Sequence, residues 1–216
     1  MRSVVKGPAP LDEHHVTVVF AQYQDAIPYL KERLGRYCSY CERTIPANLA
    51  VEHKLPKEHH PHLKLEWDNL LLSCVNCNSS KGQTNPQDAS MFWPDEHDTF
   101  DLISYAPNGA VRPRQGLDPA TEARVHYTLF LLGLSRLPAE LSSADHRFFD
   151  RLEVWRRASQ SLEDLAGRDI PELRRAIIET AKASGGYSIW QHVFAADAAM
   201  REALRTTFVG TRDFTV

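Results

Sequence analysis

Four cysteines fall within a 40-residue stretch of this 216-residue chain, and it has no others. Cys38 and Cys41 form one C-x2-C pair and Cys74 and Cys77 a second, with 32 residues between the pairs. In a reducing compartment a disulfide framework is not expected. Two such pairs instead supply four soft thiolates for a closed tetrahedral zinc site. A two-residue gap lets both sulfurs of a pair turn back onto one ion, and four thiolates leave no open position for water. The spacing therefore predicts a structural zinc clip on Cys38, Cys41, Cys74 and Cys77.

The rest of the composition is that of a globular chain. Apolar residues make up 43% and charged residues 25%, which excludes the low-hydrophobicity, high-charge signature of disorder. No apolar run reaches the 18 residues of a membrane span, and the first residues lack a signal-peptide core, so the expectation is a cytoplasmic protein with no membrane contact. The net charge of −3 argues against coating nucleic acid by bulk charge alone. That charge is uneven. Residues 36–85 hold six basic against five acidic groups and four histidines, whereas residues 86–116 hold two basic against five acidic groups.

Local patterns divide the chain into four segments. Residues 1–35 are expected to be helical: Val16, Val19, Phe20 and Tyr23 recur at helical spacing, Pro28 splits the run, and Gly35 ends it. Residues 36–85 are the cysteine-bounded module, with a strand at Leu49–His53, an extended piece at Asn69–Ser73, and a helical turn after Cys74 closed by Gly82. Residues 86–116 read as a loop and a β-hairpin around Asn108-Gly109. Residues 117–216 read as helical. Asp118-Pro119 opens one helix, Ser142 or Ser143 caps a second, Ile170-Pro171 starts a third that stops at Gly185-Gly186, and Ser188 caps a fourth running to about Phe208.

Between the cysteine pairs the chain reads C-x2-C…E-H-x2-P…N-L-L-L-x-C-x2-C-N-x2-K-G. This order strongly resembles the HNH endonuclease family, the ββα-metal nucleases, over residues 36–82. The resemblance places the His–Asn–His signature on His53, Asn69 and Asn78, the last being a common variant. It implies an α+β fold: a small zinc-stapled ββα-metal module embedded in a mostly α-helical chain with one β-hairpin. It also implies a metal-dependent endonuclease acting on DNA, with His53 as general base and one catalytic Mg²⁺ or Mn²⁺ on Glu52 and Asn78. Asn69 would orient the loop bearing His53. The family more often has Asp where this chain has Glu52.

The residue chemistry agrees with those roles. Phosphodiester hydrolysis needs an activated water and an electrophilic cation on the phosphate. A neutral imidazole suits the base at neutral pH. Carboxylate and amide oxygens suit a hard cation better than zinc. Lys81 resembles a lysine frequent after the last motif residue; it is a candidate nucleic-acid contact, weighed against a solvated helix-end lysine.

Further stretches are similar to one branch of the family, the HNH nucleases of Septu and retron-associated systems. They are Met1–Pro10, Tyr37–Glu42, Val51–Lys57, the Asn108-Gly109 hairpin, Leu131–Leu134 and Phe208–Thr211. This branch implies a nuclease subunit of an anti-phage defence complex with an ABC/SMC-like ATPase, docked through the helical flanks. Competing readings are a zinc-stapled nucleic-acid-binding or adaptor module without catalysis, and a nuclease for RNA or tRNA. His59, His60 and His62 are expected at the surface. Asp95, Asp98 and Asp101 are expected to be solvated, and Arg156-Arg157 and Arg174-Arg175 to lie on solvated helix faces.

Overall fold

The computed structural model describes residues 1–86 and 90–213. Residues 87–89, inside the expected loop, and residues 214–216 lie outside the described residues. The described chain is helix-rich with two small antiparallel sheets. One apolar cluster runs from Met1 and Val4 through Leu30, Leu34 and Leu70–Leu72 to Trp190 and Phe208.

The N-terminal segment departs from the helical expectation. Only a 3-10 turn at Tyr23–Ala26 and helix α1, Ile27–Leu34, are helical. Before them, Leu11 pairs with Thr17 around a turn in which the Asp12 carboxylate accepts from the His14 and Val16 amides, both at 2.9 Å. Val16 is 60% and Val19 90% exposed, so of the periodic set Phe20 alone is fully buried. Two causes compete with the helix here. The run Val16-Thr17-Val18-Val19 is β-branched, and an Asp side chain offers the backbone an alternative partner. Pro28 does not split a helix; it sits in the first turn of α1, where its missing N–H costs nothing.

The module then follows its local signals. Strand β1, Ala50–His53, pairs antiparallel with β2, Leu70–Ser73, in the register Glu52↔Leu71 and His53↔Leu70. All four residues of β2 are buried, and α1 packs against it. Helix α2, Val75–Lys81, starts at Cys74, whose sulfur accepts from the Cys77 amide, and ends at Gly82 with φ 54°. A short helix α3, Thr99–Leu102, leads into the hairpin β3, Ile103–Tyr105, and β4, Val111–Pro113.

Helix α4, Pro119–Leu131, is capped by Asp118, which accepts from the Ala120 and Thr121 amides at 3.1 Å. Helix α5, Arg147–Gly167, begins past the serines expected to cap it. Helix α6, Pro171–Ser184, runs as expected into Gly185. The single last helix is two: α7, Tyr187–Val193, and α8, Ala198–Thr207. Asp197 makes the break by capping α8 through the Met200 amide at 2.9 Å. Ser188 is not a cap; its amide and hydroxyl both bond Glu42.

The two ends of the chain close the core together. Arg2 is buried and donates to the carbonyls of Leu34, Phe208 and Val209 at 2.8–3.0 Å. Gly210, at φ 74°, passes so close to the Arg33 carbonyl that a Cβ would overlap it.

Candidate functional site

The four sulfurs are brought together by two tight turns. The Cys38 amide donates to the Arg43 carbonyl and the Glu42 amide to the Cys38 carbonyl, both at 3.0 Å, with Glu42 at φ 63°. The Ser39 amide then ties this knuckle to β2 through the Leu72 carbonyl. Cys74 and Cys77 enter on the first turn of α2. All four sulfurs lie within 4.8 Å of one another, and those of Cys41 and Cys74 are 3.7 Å apart. A disulfide would bring two sulfurs to about 2.0 Å. A tetrahedral ion with metal–sulfur bonds of about 2.3 Å sets them about 3.8 Å apart. The donor set and the size of the cage therefore fit zinc. Burial pushes the Cys41 and Cys77 thiols up, whereas hydrogen bonds from the other three sulfurs pull Cys74 far down.

Two buried charges that no local pattern marked hold this cage to the helices. Arg147, at the start of α5, donates to the Cys77 sulfur at 3.1 Å, to the Leu132 carbonyl at 2.6 Å and to the Ser80 hydroxyl at 3.2 Å. Asp145 grips the same guanidinium at 2.7 and 2.8 Å. On the other side Glu42 takes the Ser188 hydroxyl and amide at 2.6 and 2.7 Å, and the Met1 ammonium at 3.1 Å. Burial pushes the Glu42 carboxyl up, but the Met1 charge and the Ser188 bonds outweigh that and hold it below its ordinary value. These contacts span 70 and 146 residues of sequence, which is why spacing could not find them.

Beside the cage, β1 and α2 form an open cleft of about 290 Å³ whose walls include Glu52, His53 and Asn78. Adjacent strand residues point to opposite faces. His53 escapes that rule as the last residue of β1, where the chain turns into the loop 54–66. Its Nε2 is 2.9 Å from the Lys64 carbonyl. A carbonyl only accepts, so Nε2 carries the proton and Nδ1 keeps the lone pair. Burial holds the His53 ring below its ordinary value, favouring the neutral form. Tyr23 meets the ring edge-on, with centroids 4.8 Å apart.

Asn69 stitches the loop shut. Its Nδ2 donates to the Leu55 and Leu63 carbonyls at 3.0 and 3.1 Å, and its Oδ1 accepts from the Leu55 amide at 2.8 Å. The residue lies outside the cleft wall and acts on the backbone that carries His53.

Glu52 is buried at 2% exposure, and burial raises its carboxyl to about 7 despite the nearby Lys81 charge. The Lys81 ammonium lies 2.7 Å from Oε1, yet that oxygen has no well-aligned hydrogen-bond donor. The Glu52 carboxylate and the Asn78 amide line the same cleft wall, and carboxylate and amide oxygens are the donor set of a hard divalent cation.

The placement of Lys81 corrects the sequence expectation. It is neither solvated nor free to meet a phosphate: it is 1% exposed and also donates to the His53 carbonyl at 2.8 Å. Asp95 is likewise not solvated. It is buried between Lys6 at 3.2 Å and Lys54 at 2.9 Å, and Lys6 in turn donates to the carbonyls of Trp67, Asp68 and Leu70. His59 and His62 are exposed, and Arg156 and Arg157 both pair with Glu153 on the surface of α5.

The four-cysteine cluster and the ββα arrangement lie in one stretch of the chain. Residues 38–84 match the HNH endonuclease family model, so the chain carries an HNH endonuclease domain. Over that region it is similar to Septu protein PtuB of Bacillus thuringiensis, 37% identical across 81 residues. The match covers 33% of this chain and 32% of that protein, so the chain spans about a third of the relative it matches. Among the described residues no helix is long and apolar enough to cross a membrane.

Proposed function

We propose that this chain is a cytoplasmic, metal-dependent HNH endonuclease that hydrolyses DNA phosphodiester bonds and serves as the nuclease subunit of an ATPase-containing anti-phage defence complex. The observation that carries the nuclease reading is the single cleft walled by Glu52, His53 and Asn78, with His53 held in one tautomer by the Lys64 carbonyl. The defence role draws its support from the likeness to a Septu protein. The ABC/SMC-like partner rests on the sequence resemblance, with residues 117–216 as the docking segment.

Cys38, Cys41, Cys74 and Cys77 hold structural Zn²⁺. Glu52 and Asn78 hold Mg²⁺ or Mn²⁺, which supplies electrophilic polarisation of the phosphate when bound. His53 Nδ1 takes the proton of the attacking water as its oxygen bonds to phosphorus. The bond to the leaving 3′ oxygen breaks, and that oxygen leaves with a proton from solvent. Nε2–H on the Lys64 carbonyl keeps the ring aimed and stabilises the imidazolium that forms. Asn69 keeps Leu55 and Leu63 in register so that the Lys64 carbonyl stays in place. The Lys81 ammonium holds the Glu52 carboxylate against α2 and contributes no phosphate contact.

The test is conversion of supercoiled plasmid by the zinc-loaded full chain, alone and with its ATPase partner. Cleavage is expected with Mg²⁺ or Mn²⁺ and is expected to be lost in Glu52→Ala. Cleavage that persists in Glu52→Ala, or none from the wild type under either condition, contradicts the proposal.

A further inference from the structure

We propose that Lys57 is the phosphate-binding cation of the cleft, shelved on the Tyr23 ring so that its ammonium meets a DNA phosphate beside His53; this rests on the nuclease reading above. Beside the metal, positioning the nucleic-acid backbone calls for a side-chain cation that can reach a phosphate, and the structure removes Lys81 from that role. Two ammonium groups line the cleft, Lys57 and Lys81. Lys81 is sealed against Glu52, and the nearby Lys54 and Lys6 are both committed to Asp95. Lys57 is different. Among the described residues no carboxylate lies within ion-pair distance of it, although Glu58 lines the same cleft.

Its ammonium instead sits 4.8 Å from the centroid of the Tyr23 ring. That same ring meets the His53 imidazole edge-on at 4.8 Å. Tyr23 is thus a spacer with the base on one side and an unpaired cation on another. Resting a lysine on an aromatic face restricts its freedom without neutralising its charge. A phosphate arriving at His53 then finds a cation already in place, and less ordering cost is left for the binding step. Lysine–phosphate contacts of this kind position nucleic acid without reading its sequence. The module's near-neutral charge is compatible with such a role, because one local cation does the work that bulk charge does not.

The test is fluorescence anisotropy of the zinc-loaded full chain with a labelled DNA duplex across a KCl series, with no Mg²⁺ or Mn²⁺ added. Lys57→Gln is expected to weaken binding about three- to tenfold for every duplex sequence. It is also expected to lower the slope of log Kd against log salt by about 0.9, the value for one lost phosphate contact. Lys57→Arg is expected to retain the slope. Tyr23→Leu, which keeps the charge and removes the shelf, is expected to weaken binding with the slope intact. A wild-type slope in Lys57→Gln overturns the proposal, as does a wild type that does not bind duplex. Parallel cleavage assays separate the two claims. A wild type that cuts with Mg²⁺ while Lys57→Gln binds and cuts equally well defeats the role of Lys57 alone. A Lys57-dependent slope in a protein that cuts nothing, alone or with its ATPase partner, defeats the nuclease reading and leaves the contact standing.

Discussion

Replacing Arg147 by Met tests whether the helical region and the sulfur cage are one structural unit. Arg147 is 3% exposed and Asp145 is 5% exposed, and they grip each other through two short bonds. Methionine keeps most of the aliphatic volume but removes the charge. Asp145 is then left as a buried carboxylate without its cation, and the Cys77 sulfur and the Leu132 carbonyl each lose a donor. Breaking a buried pair by deleting one partner costs about 3–5 kcal/mol. In a chain of this size that lowers the melting temperature by about 6–20 °C. Losing a charge-bearing partner of a metal-bound thiolate adds a drop of about 10–100-fold in zinc affinity. The assays are scanning calorimetry and competition for zinc with a chromogenic chelator. The double variant Arg147→Met/Asp145→Leu removes the orphaned charge, so it should regain much of the stability and little of the zinc affinity. A melting temperature within about 2 °C of wild type in Arg147→Met, with unchanged zinc competition, would refute the coupling, since that shift corresponds to under about 1 kcal/mol.

Other outcomes follow from the same structure. Cys74→Ser removes a sulfur ligand while its hydroxyl can still cap α2, so it should bind zinc far more weakly by chelator competition. Lys81→Met should destabilise the fold by about 1–3 kcal/mol in urea melts, chiefly by leaving the His53 carbonyl without its donor while Glu52 takes up a proton, an effect a solvated lysine would not have. Phe20→Ala should cost about 3–5 kcal/mol, whereas Val19→Ser, at a position 90% exposed, should stay within about 0.5 kcal/mol. Asn69→Ala should lose about 1–3 kcal/mol for the carbonyls and amide it leaves unpaired, together with a fall in cleavage rate; a full-rate variant would show that the loop does not need this stitch.

What could be read in advance was whatever the chain encodes locally. The two C-x2-C turns, β1, β2 and α2 each arise from neighbours in sequence, and Asp118-Pro119 and Asn108-Gly109 mark their helix and hairpin directly. The same local reading fails where a second local force competes. Residues 16–23 have helical spacing, but four successive residues there resist helix at χ1 or lie within reach of the Asp12 carboxylate. In the last segment, Asp197 captures the Met200 amide and divides what apolar spacing presents as one helix. The wall of the cleft was visible as Glu52-His53 and Asn78 because a motif carries it. The surroundings of the cleft and the cage were not: Tyr23 and the burial of Lys81 at the one, and Arg147 and Glu42 at the other, depend on tertiary contacts. A lysine one residue before a helix-ending glycine looks solvated until the fold places Glu52 and the His53 carbonyl over its ammonium.

The central claim is that His53 is the base of a hydrolytic centre rather than a packed core histidine. Its most direct test is the single-turnover rate of duplex DNA cleavage in Mn²⁺ by His53→Ala and wild type, at equal zinc content and equal Mn²⁺ binding. Loss of a general base predicts a fall of about 10²–10⁴-fold with the metals retained. Equal rates in the two proteins would contradict the account.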